Sequence, residues 1–436
     1  MRKRVIGLLL IIAFVGLTPM WAQDNTATPC PASLSPRLMA GGRGRVLPGQ
    51  PNYVRAVASI KYEPIGRIGA GEQFDVVDGP ICAENYVWWF IKAGTLVGWT
   101  AEGDGTTDWL ESLPANTTAA QPEIALIIAP DVFVMNADGS HLRNLSHTAD
   151  VVEMLQWSPD GSQIAYMTHD KGSIANLYVV GVDEGSQPRK INDQSGYYGT
   201  FTWSPDGVQI ATLKEVGTVL HVVIMNVDGS GSHDLPDTDG YSLAWSPDGK
   251  YLALARKSSD GLYELRLITP NGDFVRQIVP PAATPILGFH WSPDSTRLVY
   301  YMITDPEQWT GTLYVVDSES GAPFRFVQQA APRWIMSWSP DSQQIAYATG
   351  SGEKSALYTI HADGTNARRV SAKDVSDSDP LWSPDGQQLL YVNNPRTGEF
   401  ILTTSDIDGS NVQPLVDVTL PTLPDFPTFA WRPQLP

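Results

Sequence analysis

The apolar positions of this chain recur on two scales. Locally they alternate or run together over a few residues, as in Ile164-Ala165-Tyr166, Leu177-Tyr178-Val179-Val180, Leu313-Tyr314-Val315-Val316 and Ile345-Ala346-Tyr347. Short runs of this kind, broken by turn residues, predict β-strands. On the longer scale Trp-Ser-Pro-Asp returns at Trp157, Trp203, Trp245, Trp291, Trp338 and Trp382, with a degenerate Trp431-Arg432-Pro433 after them. The intervals run from 42 to 49 residues, the period of a four-stranded propeller blade.

The register inside each repeat is tighter than the period. Seven residues after each of the first six tryptophans an apolar residue opens a strand: Ile164, Ile210, Leu252, Leu298, Ile345 and Leu389. A third strand follows and ends in a turn such as Asn226-Val227-Asp228-Gly229 or His361-Ala362-Asp363-Gly364, and a short fourth strand precedes the next tryptophan. Ser-Pro-Asp-Gly puts proline where its fixed φ suits a type I turn, so these aspartates read as turn formers. Ser295 and Ser342 replace the glycine in two copies. Two positions before each tryptophan stand Leu155, Phe201, Leu243, Phe289, Met336, Pro380 and Phe429. A period of two places them on the blade face that carries the tryptophan, in the core between blades.

The first repeat has no tryptophan: Thr117 stands where one would fall, while Ile124-Ala125-Leu126 matches a second strand. Phe429-Ala430-Trp431 supplies the missing strand from the far end, which removes a free edge. The fold class expected is all-β: a seven-bladed β-propeller over residues 123–436, closed by its C-terminal strand and preceded by a small barrel. The repeat resembles the WD40-like propeller of the TolB kind, whose hallmark is W-S-P-D-G, then an I-A-Y-type strand and a D-G turn.

Residues 30–113 lack the repeat. They carry Asn52-Tyr53-Val54-Arg55, Ile65-Gly66-Arg67-Ile68, Trp88-Trp89-Phe90-Ile91 and Val97-Gly98-Trp99-Thr100. This pattern resembles the bacterial SH3-like domain. The resemblance implies a targeting or ligand module, commonly directed at cell-wall peptides. Tyr53, Trp88 and Trp99 would suit a peptide groove, but a small barrel needs aromatic core, and at least two of them are expected there. Residues 114–122 read as a polar linker.

Arg2-Lys3-Arg4, the apolar run from Val5 to Leu17 and Ala22 form a signal-peptide pattern over residues 1–22. A membrane anchor is the alternative, but the run is short of the ~20 residues a span needs. A secreted or periplasmic protein is expected. In an oxidising compartment the two cysteines, Cys30 and Cys82, would form a disulfide; two unrelated thiols are the alternative. With 29 Lys+Arg against 47 Asp+Glu the formal charge is -18, which argues against a nucleic acid partner.

Catalytic motifs are scarce. The seven histidines show no ligand spacing, no G-x-S-x-G elbow occurs, and Gly350-Ser351-Gly352-Glu353-Lys354-Ser355 reads as a hairpin loop. No metal and no cofactor is expected. The loops entering each first strand gather at one mouth of the ring and carry acidic and aromatic residues. Glu153, Tyr198, Asp239, Tyr241, Trp334, Asp377 and Asp379 are the candidate binding residues for a basic or mixed protein or peptide partner. The reading is an exported monomeric binding scaffold that is not an enzyme. The alternatives are a propeller lyase or glycoside-acting enzyme using mouth carboxylates, and a cell-wall-binding protein.

Overall fold

A computed structural model describes residues 36–433, save 105, 114–122, 129, 149, 170–174, 193–197, 218, 306–309, 322, 331–335, 350–354, 373–375, 395–398 and 418–427. The expected signal peptide, Cys30, the linker and Trp334 lie outside the described residues, as does the side chain of Tyr198.

The repeats form seven four-stranded antiparallel sheets. Six are continuous in sequence; blade 2, for example, consists of Val151–Trp157, Gln163–His169, Ala175–Gly181 and Arg189–Lys190. Blade 1 is composite. Ile124–Ile128, Asp131–Met135 and Arg143–Asn144 are completed by Phe429–Trp431, with Phe429 opposite Leu126 and Trp431 opposite Ile124. The chain is thus an all-β, seven-bladed propeller closed by its own tail.

Apolar cores lie between blades rather than within them. Trp157, Leu155, Ile164 and Tyr166 of blade 2 pack with Ala125, Val132 and Val134 of blade 1, and the same pairing recurs around the ring. Each side chain two positions before a tryptophan is buried, Leu155, Phe201 and Phe429 among them. The tryptophans add a polar tie. The indole N–H of Trp203 donates to the carbonyl of Gln156 (3.3 Å), that of Trp291 to Ala244 (3.2 Å), and that of Trp338 to His290 (3.1 Å). In each case the acceptor is the residue just before the tryptophan of the preceding blade. Blade 4 departs from this: Trp245 donates to Gly249 in its own turn.

The Ser-Pro-Asp turns are built as the sequence suggests, with one addition. Gly161, Gly207, Gly249 and Gly386 have φ between 66° and 75°, and Ser295 (62°) and Ser342 (60°) stand in the same left-handed region. The turn is therefore a type I turn extended by a left-handed residue, a geometry that favours glycine. The two serines offset the strain with a bond to the preceding blade: Asp248 N–H donates to Ser295 Oγ (3.0 Å) and Asp294 N–H to Ser342 Oγ (3.1 Å).

The N-terminal unit is a seven-stranded antiparallel sheet. Its order is Gly66–Ile68, Asn52–Arg55, Leu96–Ala101, Tyr86–Ala93, Gln73–Ala83, Arg43–Val46, Leu110–Leu113. Its core holds Val54, Ile68, Phe74, Trp89, Ile91 and Leu110 around a buried Glu102, which accepts from Trp89 Nε1 (2.8 Å) and pairs with Arg37 (3.0 Å). Trp88 is buried, Trp99 packs edge-on against Phe90, and Tyr53 is 52% exposed. The sheet does not stand apart from the ring. Val77, Phe90 and Val97 join one apolar core with Phe133 of blade 1 and Val416 of blade 7. The Asp417 N–H donates to Thr95 O (2.8 Å).

Candidate functional site

Antiparallel blades give the ring two unlike ends. At one end lie the Ser-Pro-Asp turns and the third-to-fourth strand turns; at the other lie the entries of the inner strands. At the turn end, carboxylates are consumed by local structure. Each Ser of Ser-Pro-Asp donates to its Asp at 2.5–2.8 Å, as in Ser158 to Asp160 and Ser383 to Asp385. Its hydroxyl also accepts the N–H five residues on, from Gln163 or Gln388 for example. The Ser158 hydroxyl, with the Ser162 N–H, holds the Asp160 carboxyl below its ordinary value. Asp228, Asp363 and Asp408 close their turns in the same way.

At the entry end, charged side chains pair across strands instead. Glu153, half-exposed at the opening of the inner strand of blade 2, lies 2.9 Å from His169 Nδ1 at the end of the second strand. Asp239, the last residue of blade 3, takes both carboxylate oxygens to Arg256 of blade 4 at 2.9 Å. Arg256 also lies 3.5 Å from buried Glu264, which Arg266 meets at 2.6 Å. Tyr241 donates its hydroxyl to Ile286 O of blade 5 (2.9 Å) and meets Tyr263 edge-on; burial raises its pKa.

The candidates on blade 7 sit deeper. Asp377 and Asp379 are 1% and 0% exposed. Asp377 accepts from Asn393 Nδ2 (2.6 Å), and burial pushes its carboxyl above the ordinary value. Asp379 stands at φ 60° and accepts from Ser378 Oγ (2.7 Å). The pairing register shifts between Ser378 and Leu381, and such a bulge turns side chains away from the face that simple alternation assigns. Similar shifts interrupt the inner strands of blades 2, 3 and 5. Among the described candidates, Glu153, Asp239 and Tyr241 stand on separate blades, and the blade 7 acids are interior.

Residues just before the tryptophans on the inner strands, Gln156, Thr202, His290 and Ser337 among them, are not fully buried. His290 is solvent-accessible there but surrounded by protein, and it is the surrounding protein that sets the cost of charging it. Its pKa is pushed down to about 4 by desolvation. Sequence reasoning missed His169, Arg256, Glu264 and Arg266. His169 and Arg256 lie at or near the ends of second strands, next to the first strand in the sheet, while Glu264 and Arg266 lie on the third strand of blade 4. Among the described residues no three His, Cys, Asp or Glu side chains gather as a metal-binding group.

A family model described as the TolB beta propeller domain matches residues 128–284 and 284–430. The chain belongs to the TolB β-propeller family. An uncharacterized protein of Agrobacterium fabrum is 30% identical over 175 residues, covering 40% of this chain and 57% of that protein. The uncharacterized peptidase YuxL of Bacillus subtilis is 24% identical over 129 residues, 29% of this chain and 20% of the peptidase. The Tol-Pal system protein TolB of Bordetella pertussis is 27% identical over 171 residues, 34% of this chain and 33% of TolB. The chain therefore matches less than two thirds of the length of each of these relatives. A puromycin-hydrolyzing peptidase of Mycobacterium tuberculosis shares the fold, with a TM-score of 0.53 at 15% identity over 80% of this chain and 54% of that one. These TolB-family relatives overturn one expectation. The absence of familiar catalytic motifs suggested a chain that is not an enzyme, yet its repeats are shared with a protein named as a peptidase. The repeat that dominates the sequence specifies the ring and is silent on chemistry.

Proposed function

We propose that this chain is an exported TolB-family propeller that recognises a protein or peptide across the inner-strand entry end of the ring. One contrast carries the reading. At the turn end the aspartates close their own turns, whereas at the entry end Glu153, His169, Asp239 and Arg256 are oriented by strands yet serve no turn. Oriented charges beside an aromatic such as Tyr241 are what a partner surface uses for steering and anchoring. The net charge of -18 favours a partner with basic segments.

On the same reading residues 1–22 direct export, Cys82 pairs with Cys30, and residues 30–113 form an SH3-like targeting module. Cys82 is not a free cysteine, which supports the pairing. The name of the Tol-Pal relative fits an envelope setting.

The test is cross-linked capture from the organism's own envelope, using the full chain, Glu153→Lys and Asp363→Asn, with mass spectrometry of both captured proteins and cleaved peptides. The expected result is a partner lost with Glu153→Lys and retained with Asp363→Asn, whose turn lies at the other end. Capture unaffected by Glu153→Lys overturns the placement.

A further inference from the structure

The N-terminal sheet meets the ring at the seam where the chain's two ends are joined. It rests on blade 1, which holds the closing strand, and on blade 7, its neighbour. The polar part of this contact is a continuous chain of groups. Asp78 of the N-terminal sheet accepts from Asn144 Nδ2 (2.8 Å) and lies 3.3 Å from His147 Nδ1. Asn144 Oδ1 accepts the N–H groups of Ser146 (3.0 Å) and His147 (3.2 Å). Ser146 Oγ and the Thr148 N–H both donate to Asp131 at 2.7 Å. His147 is held at φ 44°, a left-handed conformation uncommon outside glycine. A carboxylate of the N-terminal sheet thus meets the His147 imidazole, while Asp131 of blade 1 holds the residues on either side of it in sequence.

We propose that this chain of groups is a proton-operated latch, in which Asp78, His147 and Asp131 couple docking of the N-terminal sheet on blade 1 to pH.

The directions agree with the geometry. The Asp78 carboxylate raises the pKa of His147, with Asp131 adding to it. Burial pushes Asp131 up to about 6, against the bonds from Ser146 and Thr148, and Asp78 adds repulsion. Burial also opposes ionisation of Asp78, but His147, the Gly79 N–H and Asn144 bring its pKa below the ordinary value. In mild acid Asp78 is charged, His147 is protonated and Asp131 is neutral, so the contact is attractive. As pH rises through the values of Asp131 and His147, the imidazole loses its charge while a second carboxylate gains one, and the contact weakens.

Other charged groups stand near the contact. Lys92 lies near Asp75 and Asp138, and Arg143 lies near Asp183 and Glu184. His141, beside Asp138 in the next turn, and Tyr166, which interacts with Asp131, are further titratable groups.

The test is hydrogen exchange of the full chain at about pH 5 and about pH 8, each rate divided by the intrinsic rate at that pH. Amides of residues 75–97 should exchange more slowly in acid, by about tenfold for each unit by which docking shifts a coupled pKa, while blade 4 shows no such ratio. Asp78→Asn and His147→Gln should each bring the ratio close to one, and His141→Gln should leave it. A ratio of one in the unaltered chain, or one unchanged in both latch variants, overturns the proposal.

Discussion

The indole N–H of Trp157 donates to the carbonyl of Ala430, 3.1 Å away and 273 residues distant in sequence. It is the same blade-to-blade bond that Trp203, Trp291 and Trp338 make to their predecessors, here made across the closing seam. Arg432 adds its guanidinium over the Trp157 ring, 5.9 Å from the centroid. Replacing Trp157 by Phe should cost about 1–3 kcal/mol, from the unpaired carbonyl and the lost ring volume. Trp245→Phe, whose indole bonds within its own turn, should leave the neighbouring blade's carbonyl untouched and cost less. Chemical denaturation of both variants measures the difference.

Gly409, in the third-to-fourth strand turn of blade 7, is required by contact as well as by φ, unlike Gly261 in the second-to-third strand turn of blade 4. A Cβ on Gly409 (φ 83°) would sit 2.2 Å from Val370 O of blade 6, whereas on Gly261 (φ 87°) the nearest atom is Lys257 Cε at 3.9 Å. Gly261→Ala should cost about 1 kcal/mol of backbone strain, and Gly409→Ala at least about twice that, because blade 6 must move. Equal melting temperatures for the two variants would contradict this packing.

Ser295 is strained at φ 62° but accepts the Asp248 N–H. Ser295→Gly removes both effects and should be near neutral. Ser295→Ala keeps the strain and loses the bond, so it should be destabilised by about 1 kcal/mol. The ranking, read by thermal melting, separates the two contributions.

Asp131 sets a pH dependence of stability. Its folded value of about 6 lies above its ordinary 3.8, so the folded state binds the proton more tightly. Stability from this group is greatest below pH 3.8 and falls as pH rises through about 6, by about 3 kcal/mol in total. Asp131→Asn should therefore stabilise the chain at pH 8 relative to the parent, with the gain gone near pH 4. Denaturant midpoints at the two pH values check the sign.

The ring was legible because its determinants are local. Trp, Pro and Asp-Gly fix turns within a few residues, and the tail strand could be assigned from one missing tryptophan. The entry end was less legible. Asp377 and Asp379 read in sequence as residues of a loop entering the inner strand at the mouth, but they lie within the strand Ser376–Trp382, beside a bulge between Ser378 and Leu381, and are buried. Nor does any short-range pattern announce that Arg256 will meet Asp239 of the preceding blade, or that Asp78 will meet His147. Those contacts depend on how sheets are stacked, and the residues involved are ordinary charged residues in sequence.

Closure of the ring by its own tail completes the blade on which the N-terminal sheet docks. Its most direct test is hydrogen exchange of Ile124–Ile128 in the full chain and in a chain ending at residue 427. Pairing with Phe429–Trp431 predicts amides as protected as those of the other blades' second strands, with that protection and the cooperativity of unfolding lost on truncation. Protection and melting that survive the truncation unchanged would contradict it.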